Sequence, residues 1–406
     1  MTDTSMTTMS DRGAITKGDK KLDHFVSNAP FDPDRAVTLS PEQEKYYLAS
    51  QWRLMWLKFK RHKLAVISGI YLILLYLSVI ISEVIAPYNF NHRHTDFLYA
   101  PPHSINFIHD GEFIGPFVYP YSVDLDMENL QWVYTEQTDN PKQIRFFCTD
   151  NDYAGAEYRF WGLWKTSFHL VCPAAGSQLF IVGTDRLGRD IQSRIIQGAR
   201  ISLTVGLIGI TISFVLGMVI GGVAGYYGGL IDAVVQRIIE IIRSFPALPL
   251  WMALSAAMPV TWSPILVFIG ITVILGMLDW PGLARAVRSK LLSLREEDFC
   301  VAAQLMGAKP ARVIGKHLMP SFMSHLIASA TLAIPSMILG ETALSFLGLG
   351  LRPPITSWGV LLNEAQNFNA VALYPWLLYP ALPVIMVVLA FQFLGDGLRD
   401  AADPYK

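Results

Sequence analysis

Residues 201–231 read ISLTVGLIGITISFVLGMVIGGVAGYYGGLI, a stretch with no Asp, Glu, Lys or Arg. About 20 residues of helix cross a hydrocarbon core roughly 30 Å thick, so this run predicts a membrane-spanning helix. Three more stretches lack those four residue types: 64–82, 244–278 and 371–395. In a fifth, 321–340, the only ionisable residue is His325. The 244–278 run is too long for one crossing, and PVTWSP at 259–264 interrupts it with a turn. Extended backward through 232–243, it reads as two spans, about 234–257 and 264–282. The expected total is six.

Composition agrees. Charged residues make up 16% of the 406 positions, against roughly 25% in soluble domains. Apolar residues make up 52%, and mean hydropathy is +0.35. Net charge is −1, so nothing global points to nucleic acid. The first apolar run starts at Leu64, too late and too long for a cleaved signal peptide.

Lys and Arg in short flanks set orientation. Arg53, Lys58, Lys60, Arg61 and Lys63 precede the first span, which predicts a cytoplasmic N-terminus. Six spans return the C-terminus, with Arg399 and Lys406, to that side. The connection at 284–320 carries Arg285, Arg288, Lys290, Arg295, Lys309, Arg312 and Lys316 and falls there too. The opposite short loops agree: 258–263 has no Lys or Arg, and 346–370 has only Arg352.

The expected organisation is a cytoplasmic tail and pre-membrane helix (1–63), a first span (64–86), a periplasmic insert (87–200), a membrane core (201–398) and a cytoplasmic end (399–406). The start, up to about Leu39, is polar and reads as a disordered tail. Within 40–63, Trp52, Met55, Trp56 and Phe59 recur at helical spacing among basic residues. That pattern fits an amphipathic helix on the inner membrane face, or a plain extension of the first span. The insert is rich in aromatics, Pro and Asp, with strand candidates such as 144–148.

In the second span Ser213, Gly217, Gly221 and Gly225 form a stripe of small residues, and Gly228 and Gly229 end the helix. The stripe allows close helix approach. Packing inside the chain is the preferred reading, and pore lining is the alternative. Cys148 and Cys172 fall in the exported insert and Cys300 on the reducing side, so the first two are expected to form a disulfide. The competing reading is two buried thiols. No cysteine pair or histidine cluster suggests a metal site.

No enzyme motif appears: GxxxxGK[ST], HExxH, GxSxG and GxGxxG are all missing. Gly315-Lys316 runs into His317. His103 and His109 stand alone in the insert and read as surface residues.

The basic connection reads Asp298-Phe-Cys-Val301-Ala302-Ala303-Gln-Leu-Met-Gly307, then Ala308, Pro310 and His317-Leu-Met-Pro320. This predicts helix, glycine turn, second helix, and a proline opening the next span. Ala302 and Ala303 supply a small face. Such an elbow could dock in a partner's groove, and equally it could be an ordinary basic loop.

The elbow resembles the "EAA" loop of bacterial ABC-importer permeases. Ala302, Ala303, Gly307 and Pro320 match at its spacing, while Val301, His317 and Met319 replace its usual Glu, apolar residue and Leu. Gly183-Thr-Asp185-Arg-Leu-Gly188-Arg189-Asp190, with Gly198-Ala-Arg200-Ile-Ser202, resembles a signature of the dipeptide/oligopeptide/nickel permeases, second subunit type. Glu341 with Leu344-Ser345-Phe346-Leu-Gly348, then Ser357-Trp358-Gly359 and Asp396 to Asp400, are similar to further family segments.

The resemblance implies an all-α, six-helix inner-membrane protein with a cytoplasmic coupling elbow and a periplasmic insert between helices 1 and 2. It implies the permease subunit of an ATP-driven peptide importer, or of an oligosaccharide or nickel-complex importer. Partners would be a homologous permease, two ATPase subunits and a periplasmic substrate-binding protein. The chain itself would hold no cofactor, ATP and Mg lying on the ATPases. Ala302, Ala303, Gly307, Ala308, Pro310 and Pro320 would couple to them. Gly183, Asp185, Gly188, Arg189, Asp190 and Glu341 would form family motifs at the outer gate or the binding-protein dock. Other classes, an ion-coupled transporter or a membrane scaffold, fit less well: the spans carry few ionisable groups, and six spans exceed an anchor's need.

Overall fold

The charge-free runs fold as helices in the computed structural model, which describes residues 50–128, 131–149 and 152–402. The tail read over residues 1–39 and the terminal Lys406 lie outside the described residues. Helix α1 spans Gln51–Arg61 and α2 Lys63–Ile80, and His62 separates them, its Nδ1 accepting the Ala65 N–H at 3.2 Å. The basic aromatic segment is therefore a helix of its own, with Trp52 and Trp56 exposed. A short α3, Ser82–Ile85, ends this first unit.

The remaining long helices are α4 (Ile191–Tyr227), α5 (Gly229–Ser244), α6 (Ala247–Ala256) and α7 (Pro264–Leu294). After the elbow helix α8 (Asp298–Leu305) come α9 (Met323–Phe346), α10 (Trp358–Asn363), α11 (Phe368–Leu373) and α12 (Ala381–Ala402). Among the described residues five helical segments are long and apolar enough to span; a sixth is reached if the bent pair α5 and α6 counts as one. That pair corrects the continuous span expected over 234–257, because the two helices meet at 84°. The cause is Pro246: a residue before proline avoids helical angles, and Phe245 sits extended at φ −90°, ψ 138°.

In lipid, helices associate by close packing rather than by hydrophobic exclusion from water. The glycine stripe serves that purpose within the chain. A Cβ on Gly221 would lie 2.4 Å from the Ala284 carbonyl of α7, and one on Gly217 would meet Leu283. Around this contact, Leu203 and Val205 of α4, Ile271 and Leu275 of α7, and Ile338 of α9 share one buried core. On α2, by contrast, Ile67, Ile70, Ile73, Leu74 and Leu77 stay exposed, as suits lipid contact.

The insert departs from an all-α reading. It holds strands β1 (Asn106–His109), β2 (Glu112–Val118), β3 (Tyr121–Asp126), β4 (Gln131–Glu136), β5 (Lys142–Gln143), β6 (Arg145–Cys148), β7 (Tyr158–Phe160), β8 (Trp164–Thr166) and β9 (His169–Cys172). They pair as a sheet β1-β2-β5 and as three antiparallel ribbons, β3-β4, β6-β9 and β7-β8. Tyr88, Ala100, Tyr153 and Phe180 form its core with Cys148 and Cys172, whose sulfurs lie 2.18 Å apart. His103 is buried here, correcting its surface reading; its Nδ1 accepts the Phe180 N–H at 2.9 Å. Helix α4 starts at Ile191, so the end of the 87–200 interval is already the next helix.

Candidate functional site

Two constellations gather the residues singled out by sequence, one at each end of the helix bundle. At the end away from the insert, α8 stops at Leu305, and Gly307 reverses the chain at φ +81°. The reversal leaves no donor idle: the N–H groups of Met306, Gly307 and Ala308 go to the carbonyls of Ala302, Gln304 and Ala303 at 2.9–3.0 Å. Pro310 then opens a single helical turn, followed by a π-helical stretch over Val313–Leu318. Pro320 follows on the exposed side, just before α9.

Ala302 and Ala303 do not share a face. Ala303 is buried, while Ala302 is exposed. The tip is made by two residues the sequence reading passed over, Leu305 and Met306, which are 84% and 82% exposed. An adjacent apolar pair directly before a glycine turn was the available signal. The elbow is held to the bundle by Gln304, whose amide donates to the Tyr226 hydroxyl at 3.4 Å. Nearby, the Arg288 guanidinium grips the Asp232 carboxylate, tying α7 to α5.

At the insert end, the Gly183–Asp190 segment forms a loop whose glycines are required. Gly183 and Gly188 have φ +88° and +70°, and a Cβ on Gly188 would collide with the His94 carbonyl at 2.0 Å. Asp185, 1% exposed, is the hub. Its Oδ1 accepts the N–H groups of Leu187 and Arg189 at 2.8 and 2.9 Å. Its Oδ2 accepts from Arg189 Nε at 2.7 Å and from Arg194 Nη1. Both arginines also reach Glu364 Oε1 at 3.2 Å. Asp190 caps α4, accepting from the Ser193 N–H and hydroxyl at 2.7 and 2.6 Å. Burial raises its carboxyl to about 6, against the opposing effect of Ser193.

Glu341 is fully buried among three serines. Its Oε1 accepts from Ser345 and Ser357 at 2.7 Å each, and Oε2 from Ser202 at 3.1 Å. Ser202 in turn accepts the Trp358 N–H at 3.2 Å. Three separate motifs thus meet on one carboxylate, which clamps α4, α9 and α10. That burial places Glu341 inside the helix bundle. Arg194 and Glu364 were missed by sequence reading, since neither lies in a motif nor follows a periodicity. Glu364 offered one signal, as the last charge before the apolar run 371–395.

Neither constellation has the open acceptor, nucleophile and base arrangement that chemistry requires. What they offer is a hydrogen-bonded clamp at the insert end and a protruding apolar tip at the other.

Comparison with known proteins identifies relatives over most of the chain. Residues 217–405 match the family described as binding-protein-dependent transport system inner membrane component. Residues 50–102 match the N-terminal TM domain of oligopeptide transport permease C. The dipeptide transport system permease protein DppC of Alkalihalophilus pseudofirmus is 42% identical over 223 residues, 55% of this chain and 71% of that protein. DppC of Bacillus subtilis is 40% identical, over 55% of this chain and 68% of its own. The oligopeptide transport system permease protein OppC of Haemophilus influenzae is 41% identical, over 55% and 69%.

Proposed function

Because this chain belongs to the family of peptide-type ABC transporter permeases, we propose that it carries peptides across the bacterial inner membrane, driven by ATPase subunits on separate chains. Its partners are a homologous permease, two ATPases that hold ATP and Mg, and a periplasmic binding protein. The insert faces the periplasm; the elbow and both termini face the cytoplasm.

The observation that carries this reading is the elbow tip. Leu305 and Met306 project beyond a rigid glycine turn with four-fifths of their surface uncovered. Two large apolar side chains at a basic, water-facing apex need a cover, and a groove on an ATPase subunit provides one. Ala302, Gly307, Ala308 and Pro310 shape that contact, Ala303 anchors it inward, and Pro320 links it to α9. Gly183, Asp185, Gly188, Arg189, Asp190 and Glu341 hold the outer end of the bundle, where the gate would open.

Co-expression with the neighbouring transporter genes and reconstitution in vesicles test the reading. The expected result is co-purification with an ATPase and ATP-dependent uptake of di- and oligopeptides, ahead of an oligosaccharide or a nickel complex. Uptake driven by an ion gradient without ATP would overturn it.

A further inference from the structure

Arg243 is the last charge before the apolar run 244–278, and Asp279 is the first after it. The sharp bend between α5 and α6 brings the two ends of that run back together. Both side chains line the same two cavities. One, about 340 Å³, lies toward the insert beside Phe245, Leu250 and Trp251. The other, about 320 Å³, lies toward the elbow, with Ser213 of α4 and Ser329 and Ser336 of α9 on its walls. The guanidinium reaches α7, its Nη2 coming within 2.9 Å of where a Cβ on Gly282 would stand.

The depth matters. Asp279 is fifteen residues along α7 from Pro264, about 22 Å at 1.5 Å per residue, so it lies inside a hydrocarbon core roughly 30 Å thick. An ionisable group there is costly unless it is paired or serves a path. The chain pairs its buried arginines closely, Arg194 with Asp185 and Arg200 with Glu83, whereas Arg243 is exposed and Asp279 half-buried at the mouths of these cavities. Among the described residues, Arg243 and Asp279 have neither an ion pair within 4.0 Å nor a hydrogen bond. A base and an acid are thus left open, facing space that fits the roughly 300–1,000 Å³ of small-ligand sites.

We propose that Arg243 and Asp279 form a charge filter on the translocation path, the guanidinium taking the carboxylate and the aspartate the ammonium of a zwitterionic peptide in transit. A guanidinium matches a carboxylate through two parallel hydrogen bonds, and the serine hydroxyls can serve the peptide bond between the termini. This rests on the peptide-permease reading, and it adds the groups by which the permease itself recognises its cargo.

The test uses the complete transporter in proteoliposomes with its binding protein. Uptake of radiolabelled dialanine is compared with that of its C-amidated and N-acetylated forms. Arg243→Gln is expected to lower dialanine uptake at least tenfold and to shrink the preference for the free carboxylate over the amide. Asp279→Asn is expected to do the same for the free amine over the acetylated form. Arg243→Lys and Asp279→Glu, which keep the charge, should retain most uptake. The binding protein is the same in every sample, so a changed ratio belongs to the permease. If the wild type transports dialanine and the variants match it, the filter is excluded while the peptide reading stands. Equal loss for free and blocked peptides, or failure of the uncharged variants to co-purify with the ATPases, would assign the pair to folding instead. A wild type that transports none of these peptides would remove the peptide reading and the filter with it.

Discussion

Glu83 and Arg200 grip each other through both arms of the guanidinium, Nη1 to Oε1 and Nη2 to Oε2, each at 2.7 Å. Glu83 is the first charge after the apolar run of α2, and Arg200 the last before that of α4. The ion pair therefore marks the level where two spans leave the membrane. Trp161, at the turn between β7 and β8, lies with its ring 3.9 Å from the guanidinium and donates from Nε1 to the Ile80 carbonyl at 3.0 Å. The insert is pinned at that level.

Arg200→Leu should therefore destabilise the protein by about 3–5 kcal/mol, because Glu83 is left nearly buried without its counter-charge. Arg200→Lys keeps the charge but loses the fork, and should cost less, about 1–2 kcal/mol. Thermal unfolding of the purified protein in detergent, followed by tryptophan fluorescence, reads both. Equal melting temperatures for the three proteins would contradict the bidentate assignment.

At the elbow, apart from Gly307 and its chain neighbours, no atom of the described residues lies within 4 Å of a Cβ built on Gly307. Its φ of +81° is the whole constraint. A non-glycine residue there costs about 1–2 kcal/mol, and a β-branched one more. Gly307→Val should relax toward negative φ and swing Leu305 and Met306 away from their direction. Uptake is expected to fall more than tenfold and to separate from ATP hydrolysis, with Gly307→Ala in between. Normal transport by the valine variant would show that the elbow does not carry the coupling.

Glu341 lies in a clamp of three serines. Glu341→Ala would strand the hydroxyls of Ser202, Ser345 and Ser357 and loosen Trp358, for a loss of about 3–5 kcal/mol. Glu341→Gln keeps one acceptor and should lose roughly half as much. In both the wild type and the Gln variant, an uncoupler added at constant ATP should leave uptake unchanged. Collapse of uptake under those conditions would return ion coupling to consideration.

The insert should soften in acid. Burial, helped by the neighbouring His92, pushes the His94 imidazole down to about 4, and burial does the same for His103. Folded, both stay neutral; unfolded, they take up a proton near 6.5. Their stabilising contribution is then full above about pH 6.5 and is lost as pH falls toward 4. Each is worth about 3 kcal/mol by linkage. His94 meets Tyr88 and Phe180 edge to face, so His94→Phe should keep the packing and about halve the pH dependence, His103 supplying the rest. Denaturant unfolding at pH 7.5 and pH 5 checks it; a profile that is flat in the wild type contradicts it.

Hydropathy made the spans legible because lipid forbids unpaired charge over a fixed length. It did not register Pro246, because counting apolar residues ignores backbone angles, and so α5 and α6 looked continuous. The insert's strands were hidden for a different reason. Segments such as β5 and β7 are two or three residues long, too short for alternation to appear. The elbow's glycine turn was readable since one residue fixes it. The Glu341 clamp was not, although each of its serines stands in a recognisable motif. Ser202, Ser345 and Ser357 come from three separated segments, and only the tertiary fold shows that one carboxylate collects them.

The last prediction concerns Cys148 and Cys172, whose bond closes a loop with a sequence separation of 24. That loop contains the β7–β8 hairpin, which carries Trp161 to Arg200. The chain-entropy account gives such a closure about 3–4 kcal/mol, a large share for an insert whose strands form only small sheets. Cys148→Ser and Cys172→Ser should each remove that stability, and the double variant should lose little more, because the bond is already gone in either single change. Cys300 is a free, buried thiol within the elbow helix α8. Protein unfolded without reductant should therefore react with maleimide at Cys300 alone, and at all three cysteines after reduction. Three reactive thiols in the unreduced, unfolded protein would contradict the disulfide. The bond's mechanical role can be separated from its chemistry: reduction should raise the mobility of a probe at the Trp161 turn while leaving the spans' helix content unchanged by circular dichroism. If the hairpin stays fixed after reduction, the Glu83–Arg200–Trp161 contact holds it unaided.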